Sequence, residues 1–302
     1  MVNETFHDLF RCPQVLDFAK RVIIRSYVEC ATGFEREMED SLKLIFSTLT
    51  GASVAWDFEK ALNAVGTEVL HRGEPDFWFN VVYSRYKRDF KPEDRFRMLR
   101  EWLTGNIILD MGCGNGLTSF VLNQHGYEVY LTDVLDYRDE RALKLPFEAM
   151  LDPRTLPFTG KHFDTGLLFA ILHHVGPGDL LLLLDCVRQR CARVIVEEDC
   201  FDVPEDLLRT VPGDSMMQEF SAFQPDDQLR ILKFIDYFAN AITQGLPQMH
   251  MPFSFKSVRE WERLFQAHGF SLSRTILKGF QAHYFNRSCH VWFILDAAGK
   301  SS

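Results

Sequence analysis

The run Ile107-Ile108-Leu109-Asp110-Met111-Gly112-Cys113-Gly114-Asn115-Gly116 constrains this chain more than any other stretch. Three apolar residues lead into an acid, and three glycines then alternate with other residues. A short apolar run bounded by glycine reads as a buried parallel strand. Beyond it Leu117, Phe120 and Val121 recur at helical spacing up to Gln124, and Gly126 follows as a stop. The glycines therefore occupy a strand-to-helix turn, where positive φ is available and a ligand can approach bare backbone. The start of the following helix leaves N–H groups unpaired and directed at that ligand.

Glycine spacing separates the ligand classes. A dinucleotide fingerprint, G-x-G-x-x-G, needs its third glycine at position 117. Leu117 stands there and Gly116 is the third glycine, which opposes a nicotinamide oxidoreductase. The pattern of Asp110, Gly112, Gly114 and Gly116 resembles motif I of the class I S-adenosylmethionine-dependent methyltransferases. The resemblance implies S-adenosylmethionine as cofactor. It also implies that the loop containing Asp110, Gly112, Cys113, Gly114 and Gly116 wraps the methionine and ribose part.

Strands and helices alternate from Ile107 onward, which argues an α/β fold with a parallel sheet. Glu128 to Asp133 reads as the second strand, with Asp133 at its carboxyl end. That is about 20 residues past the glycines, where a ribose-binding acid belongs. The third strand is expected over 146–151, with Asp152 just beyond it, placed to take an adenine amino group. Only residues 135–144 separate the second and third strands, which leaves room for a short helix or a plain loop. The fourth strand is expected over 163–172 and the fifth over 192–196, ending in Glu197-Glu198-Asp199. The resemblance continues here through Leu156-Pro157-Phe158, Phe163-Asp164 and Leu172-His173-His174-Val175, a pattern of small-molecule methyltransferases. A helix over 257–268 and strands over 270–277 and 290–296 complete the reading. The expected fold is a Rossmann-like, seven-stranded, mostly parallel sheet. A helical N-terminal extension over residues 1–104 precedes a cofactor domain over residues 105–302.

Ligands of open α/β sheets lie outside the carboxyl ends of the strands. Asp110, Asp133, Asp152, the His pair and the acid triplet are all expected at such ends. Methyl transfer needs donor and acceptor aligned and water excluded. A base is needed where the acceptor is a protonated hydroxyl, thiol or amine. His173 and His174 are the candidate bases, since imidazole titrates near neutrality. Holding the strand end is their structural alternative. Glu198 and His250 are candidate substrate contacts. Cys113, inside the glycine loop, is expected to be buried and inert.

Bulk properties bound the partners. The formal net charge of −9 repels polyanions, so nucleic acid is disfavoured and a small-molecule acceptor is expected. Lys87, Lys91, Arg95 and their basic neighbours between Arg85 and Arg100 are interleaved with acids and read as a solvated helix face. Seven scattered cysteines without a C-x-x-C pair favour a reducing compartment, hence the cytoplasm, over disulfides or a zinc site. The greasiest stretch, 167–184, is interrupted by polar residues and is no membrane span. Two other readings stay open: a methyltransferase fold that binds without turnover, and a methyltransferase acting on protein or RNA. Aromatic residues over 77–86 and the Met- and Phe-rich segment 248–255 are expected to cover the cofactor and form the acceptor pocket.

Overall fold

The computed structural model describes residues 9, 11–52, 64–66, 68–70, 77–245, 249, 251–280 and 284–297. In chain order its main elements are α1 (Pro13–Cys30), α2 (Glu35–Ala52), α3 (Trp78–Arg85), α4 (Lys91–Leu99), β1 (Ile107–Met111), α5 (Leu117–Gln124), β2 (Glu128–Asp133), β3 (Phe147–Ala149), β4 (Phe163–Phe169), α6 (Pro177–Arg190), β5 (Cys191–Phe201), α7 (Glu205–Leu208), α8 (Ser215–Ala222), α9 (Pro225–Tyr237), β6 (Lys256–Ser257), α10 (Val258–Ala267), β7 (Phe270–Gly279) and β8 (His290–Ala297). The chain groups into two compact units. One comprises Met1–Tyr86, Cys200–Met251 and Lys278–His290, and the other Lys87–Asp199, Pro252–Leu277 and Val291–Ser302.

The second unit is the α/β part. Its sheet runs β3-β2-β1-β4-β5-β8-β7, and β1 to β5 pair in parallel along that path. Seven strands were expected and eight are present among the described residues, because the two-residue β6 pairs with β5 off the main path. β1 has β2 on one side and β4 on the other, which makes its carboxyl end the topological switch point. Ile108, Leu131, Leu167, Ile195 and Trp292 from the strands pack with Phe96 and Leu99 of α4 and Val121 and Leu122 of α5. Between β2 and β3 there is only a single 3-10 turn, Glu140–Ala142, as the short sequence allows. Arg138 Nη1 braces it by donating to Leu145 O at 2.8 Å. Ser257 caps α10 in a reciprocal capping box with Glu260, so the helix starts one residue later than its sequence suggests.

Three strand boundaries differ from expectation. β3 is cut to Phe147–Ala149. β4 stops at Phe169 because Ala170 turns the chain with φ +54°, and the turn Leu172–His174 follows. β5 continues to Phe201, so Glu197, Glu198 and Asp199 lie buried inside a strand rather than at its end. Burying carboxylates costs free energy unless they are paired, and Glu197 and Glu198 are paired with Arg95 and His173.

The first unit is mainly helical. Its interior is aromatic: Phe18 packs on Phe220 and Phe280, and Tyr27 packs edge-on against Phe238 and Phe285. Phe79, Tyr83 and Tyr86, expected to cover the cofactor, pack on one another and on Phe285 as core of this unit. Tyr27 reaches Thr243 and donates to Asn286 Oδ1 at 3.0 Å. Among the described residues no disulfide forms, and no helix is long and apolar enough to cross a membrane.

The buried end of β1 yields a test. Asp110 accepts from Ser119 Oγ at 2.6 Å, yet burial dominates and pushes its pKa up from 3.8 to about 6. The folded chain then keeps a proton that the unfolded chain releases. Its contribution to stability therefore falls as pH rises from about 4 to about 6, by at most about 3 kcal/mol. Asp110→Asn removes this titration. Chemical denaturation should show the variant gaining on the wild type across that window, and an unchanged gap would refute the assignment.

Candidate active site

The glycine turn is pinned by β2. Parallel pairing sets Met111 opposite Thr132. One step further, Gly112 N and Cys113 N both donate to Thr132 O, at 2.8 and 3.2 Å. Gly114 N donates to Asp133 Oδ2 at 2.9 Å. Gly116 N closes the turn on Cys113 O at 2.9 Å, and Asn115 Oδ1 receives Leu117 N at the start of α5. All three glycines have positive φ, between 55° and 69°. Their surroundings differ. A Cβ on Gly112 would lie 2.4 Å from Ile171 Cγ2, so packing forbids a side chain there. A Cβ on Gly114 would meet nothing within 4 Å. The middle of the turn thus faces open space with its backbone bare.

Asp133 is the hub beside that space. Its Oδ1 accepts from Val134 N at 2.7 Å and from Tyr137 Oη at 3.2 Å, while Oδ2 holds Gly114. A carboxylate offers about four acceptor positions, so at least one remains after these three donors. Burial, then the field of Asp133, pushes the Tyr137 phenol up and keeps it neutral. Val134, Leu135 and Tyr137 are exposed past the end of β2, and Leu151 is 89% exposed past the end of β3. These two chain ends adjoin, since Asp133 pairs with Ala149 and Met150 N donates to Asp133 O at 2.9 Å. Asp152 caps its own turn by accepting from Arg154 N at 2.9 Å, and that bond holds its carboxyl below the ordinary value. Burial, reinforced by Asp110 and Asp133, raises the Cys113 thiol, which keeps it protonated.

On the other side of β1, the turn after β4 is tied to β5. Ala170 N donates to Glu197 O at 2.7 Å. Glu198 holds Leu172 N at 2.7 Å with one oxygen and His173 Nδ1 at 2.6 Å with the other. Both side chains are fully buried. The His173 ring stacks on Phe255, with centroids 4.5 Å apart, and His174 lies beside it at 4.2 Å. Ser254 N donates to His173 O at 3.0 Å, so the 252–255 segment is fastened to this turn. His250 lies outside the described residues.

Sequence reasoning missed the cations here. Glu197 Oε1 accepts from Arg95 Nη2 at 2.7 Å, and its Oε2 accepts from Trp292 Nε1 at 2.7 Å. The Arg95 guanidinium also sits 4.7 Å from the centre of the Phe169 ring. The basic stretch is therefore not uniformly solvated: Arg97 is exposed, while Arg95 turns inward. Position 95 falls in the helical stripe with the buried Pro92, Phe96 and Leu99, and that periodicity was the available signal.

A parallel sheet with a glycine turn and a strand-end acid at its switch point defines a cofactor-binding α/β enzyme. The family model described as a methyltransferase domain matches residues 92–274. The chain belongs to this class I methyltransferase family, and its cofactor is S-adenosylmethionine. Among solved structures it is similar to an S-adenosylmethionine-dependent methyltransferase from Methanosarcina mazei, at 18% identity and TM-score 0.46, covering 66% of this chain and 96% of that one. Another from Archaeoglobus fulgidus gives 14% identity, TM-score 0.44 and coverage of 73% and 100%. Magnesium protoporphyrin IX methyltransferase from Synechocystis gives 15%, 0.40, and 75% and 86%. No curated protein matches the sequence.

Two sets of variants test this geometry by denaturant unfolding. Gly114→Ala should cost only about 1 kcal/mol for its positive φ. Gly112→Ala adds overlap with Ile171 and should cost about 2–4 kcal/mol. Equal costs would contradict the packing described. Glu198→Ala leaves two buried donors without their acceptor and should cost about 3 kcal/mol; a loss below 1 kcal/mol would contradict the buried pair.

Proposed function

We propose that the protein transfers a methyl group from S-adenosylmethionine to a small-molecule nucleophile, and that the turn at Gly114 is where the cofactor lies. One observation carries the placement: the bare backbone of Gly114 faces open space and is hydrogen-bonded to Asp133. The donor set fits the group. In this reading Asp133 accepts from the ribose, the Gly112–Gly116 backbone lies along the chain to sulfur, and Asp110 supports the turn from below. The exposed apolar Val134, Leu135 and Leu151 suit the faces of an adenine. Asp152 stands at the same edge to receive its amino group.

When bound, the cofactor supplies a methyl group already activated by positive sulfur. The chain contributes alignment, exclusion of water and, for a protonated acceptor, a place for the proton. The turn Leu172–His174 is the candidate for the last role. Glu198 holds the His173 ring through Nδ1, and imidazole is the side chain whose ordinary titration suits proton transfer near neutrality. On this reading Glu198 acts through His173, as a positioning residue. His174 and His250 remain candidates for contact with the acceptor. A small acceptor is favoured over RNA by the net charge of −9. A cytoplasmic location suits seven cysteines without a disulfide among the described residues.

Isothermal calorimetry is the direct test. S-adenosylmethionine and its demethylated product should both bind, and NAD should not. Asp133→Ala should weaken binding by ~1.5–3 kcal/mol, the range for hydrogen bonds to a charged group. Binding of NAD alone, or full affinity in Asp133→Ala, would sink the placement.

A further inference from the structure

The two oxygens of Asp133 are unequally loaded. Oδ2 accepts only from Gly114 N, at 2.9 Å. Oδ1 accepts from both Val134 N, at 2.7 Å, and Tyr137 Oη, at 3.2 Å. A carboxylate oxygen has about two acceptor positions, so Oδ1 is full and Oδ2 has one to spare. A ribose presents two neighbouring hydroxyls. Seating both on one carboxylate takes one position on each oxygen. Asp133 is therefore one acceptor short for that role, and the shortage falls on Oδ1.

The donors on Asp133 differ in what holds them. Gly114 N belongs to the turn that Gly112 N and Cys113 N fasten to Thr132 O. Val134 N is the very next amide of the chain. Neither can leave without unmaking the turn or the end of β2. Tyr137 is different on every count. Its side chain lies past the end of β2 and is 49% exposed. Its bond is the longest of the three. Among the described residues its phenol has no other hydrogen-bond partner. Burial, then the field of Asp133, keeps the phenol protonated and so a donor. It offers Oδ1 what a ribose hydroxyl offers, an O–H. An exposed donor of this kind exchanges a protein partner for water at small net cost.

We propose that Tyr137 holds the place of one ribose hydroxyl on Asp133 Oδ1 and yields it when the ribose of S-adenosylmethionine binds. The inference rests on the cofactor placement proposed above. It makes the phenol a competitor of the cofactor, and a residue that sets how affinity depends on the two ribose hydroxyls. Until it yields, the phenol also keeps the carboxylate oriented beside Gly114.

The test is calorimetry on the full chain, with wild type and Tyr137→Phe each titrated with S-adenosylhomocysteine and with its 2′-deoxy and 3′-deoxy analogues. Phenylalanine keeps the ring and any packing it makes, and removes only the hydroxyl. Tyr137→Phe should bind S-adenosylhomocysteine about two- to tenfold more tightly than wild type, the worth of one hydrogen bond no longer given up. For one of the two deoxy ligands the gain should shrink below about twofold, because its remaining hydroxyl takes the spare position on Oδ2 and the phenol need not move. Thermal melting should show the variant folded, since the side chain is half exposed. Equal or weaker binding of S-adenosylhomocysteine by Tyr137→Phe would overturn the inference. So would a gain of the same size for all three ligands, which would be independent of the ribose hydroxyls. Full affinity of Asp133→Ala for S-adenosylhomocysteine would instead remove the cofactor placement, and this inference with it.

Discussion

The bond from Gly114 N to Asp133 Oδ2 is the constraint on which the site depends. It exists because β1 and β2 run in parallel register, so the chain leaving β1 passes the end of β2. Thr132 O takes two amides of the turn and Asp133 takes a third. Peptide groups that would be orphaned at a strand-to-helix junction are thereby satisfied without filling the space above them. The result is a fixed stretch of bare backbone. Gly112 and Gly116 are held by what packs against them, whereas Gly114 has space where its side chain would be. A single motif thus contains both tightly packed glycines and one that faces open space.

The other half of the site is organised by buried carboxylates. Glu197 and Glu198 are adjacent in β5 and point to opposite faces of the sheet, as strand geometry requires. One binds Arg95 and Trp292 and the other binds His173 and Leu172 N. Each acid thus ties β5 to a different neighbour: α4 and β8 for Glu197, and the turn after β4 for Glu198. Paired in this way, the acids fix the geometry of the strand ends. Breaking such a pair is costly because the remaining partner stays buried.

Much of this was legible in the sequence. The glycine turn, the acid at the end of β2, the short connection between β2 and β3, and the five parallel strands follow from periodicity and turn chemistry. What escaped did so for physical reasons. The acid triplet reads as a strand end because isolated charges end buried strands; partners distant in the chain, Arg95 and Trp292 on Glu197 and His173 on Glu198, allow β5 to continue. The inward turn of Arg95 was hidden by its charged neighbours, although its spacing to Pro92, Phe96 and Leu99 disclosed it. The positive φ of Ala170 has no local signature, since alanine is not a residue that favours it. Nor does residue spacing reveal that 200–251 and 278–290 gather with the N-terminal helices, because such pairings are set by long-range packing.

A crystal structure of the full chain with S-adenosylhomocysteine tests the central claim most directly. The account predicts the ribose on Asp133, the adenine between the chain ends after β2 and β3, and the backbone of Gly114 against the ligand. Ligand bound elsewhere, with the Gly114 to Asp133 turn empty, would contradict it.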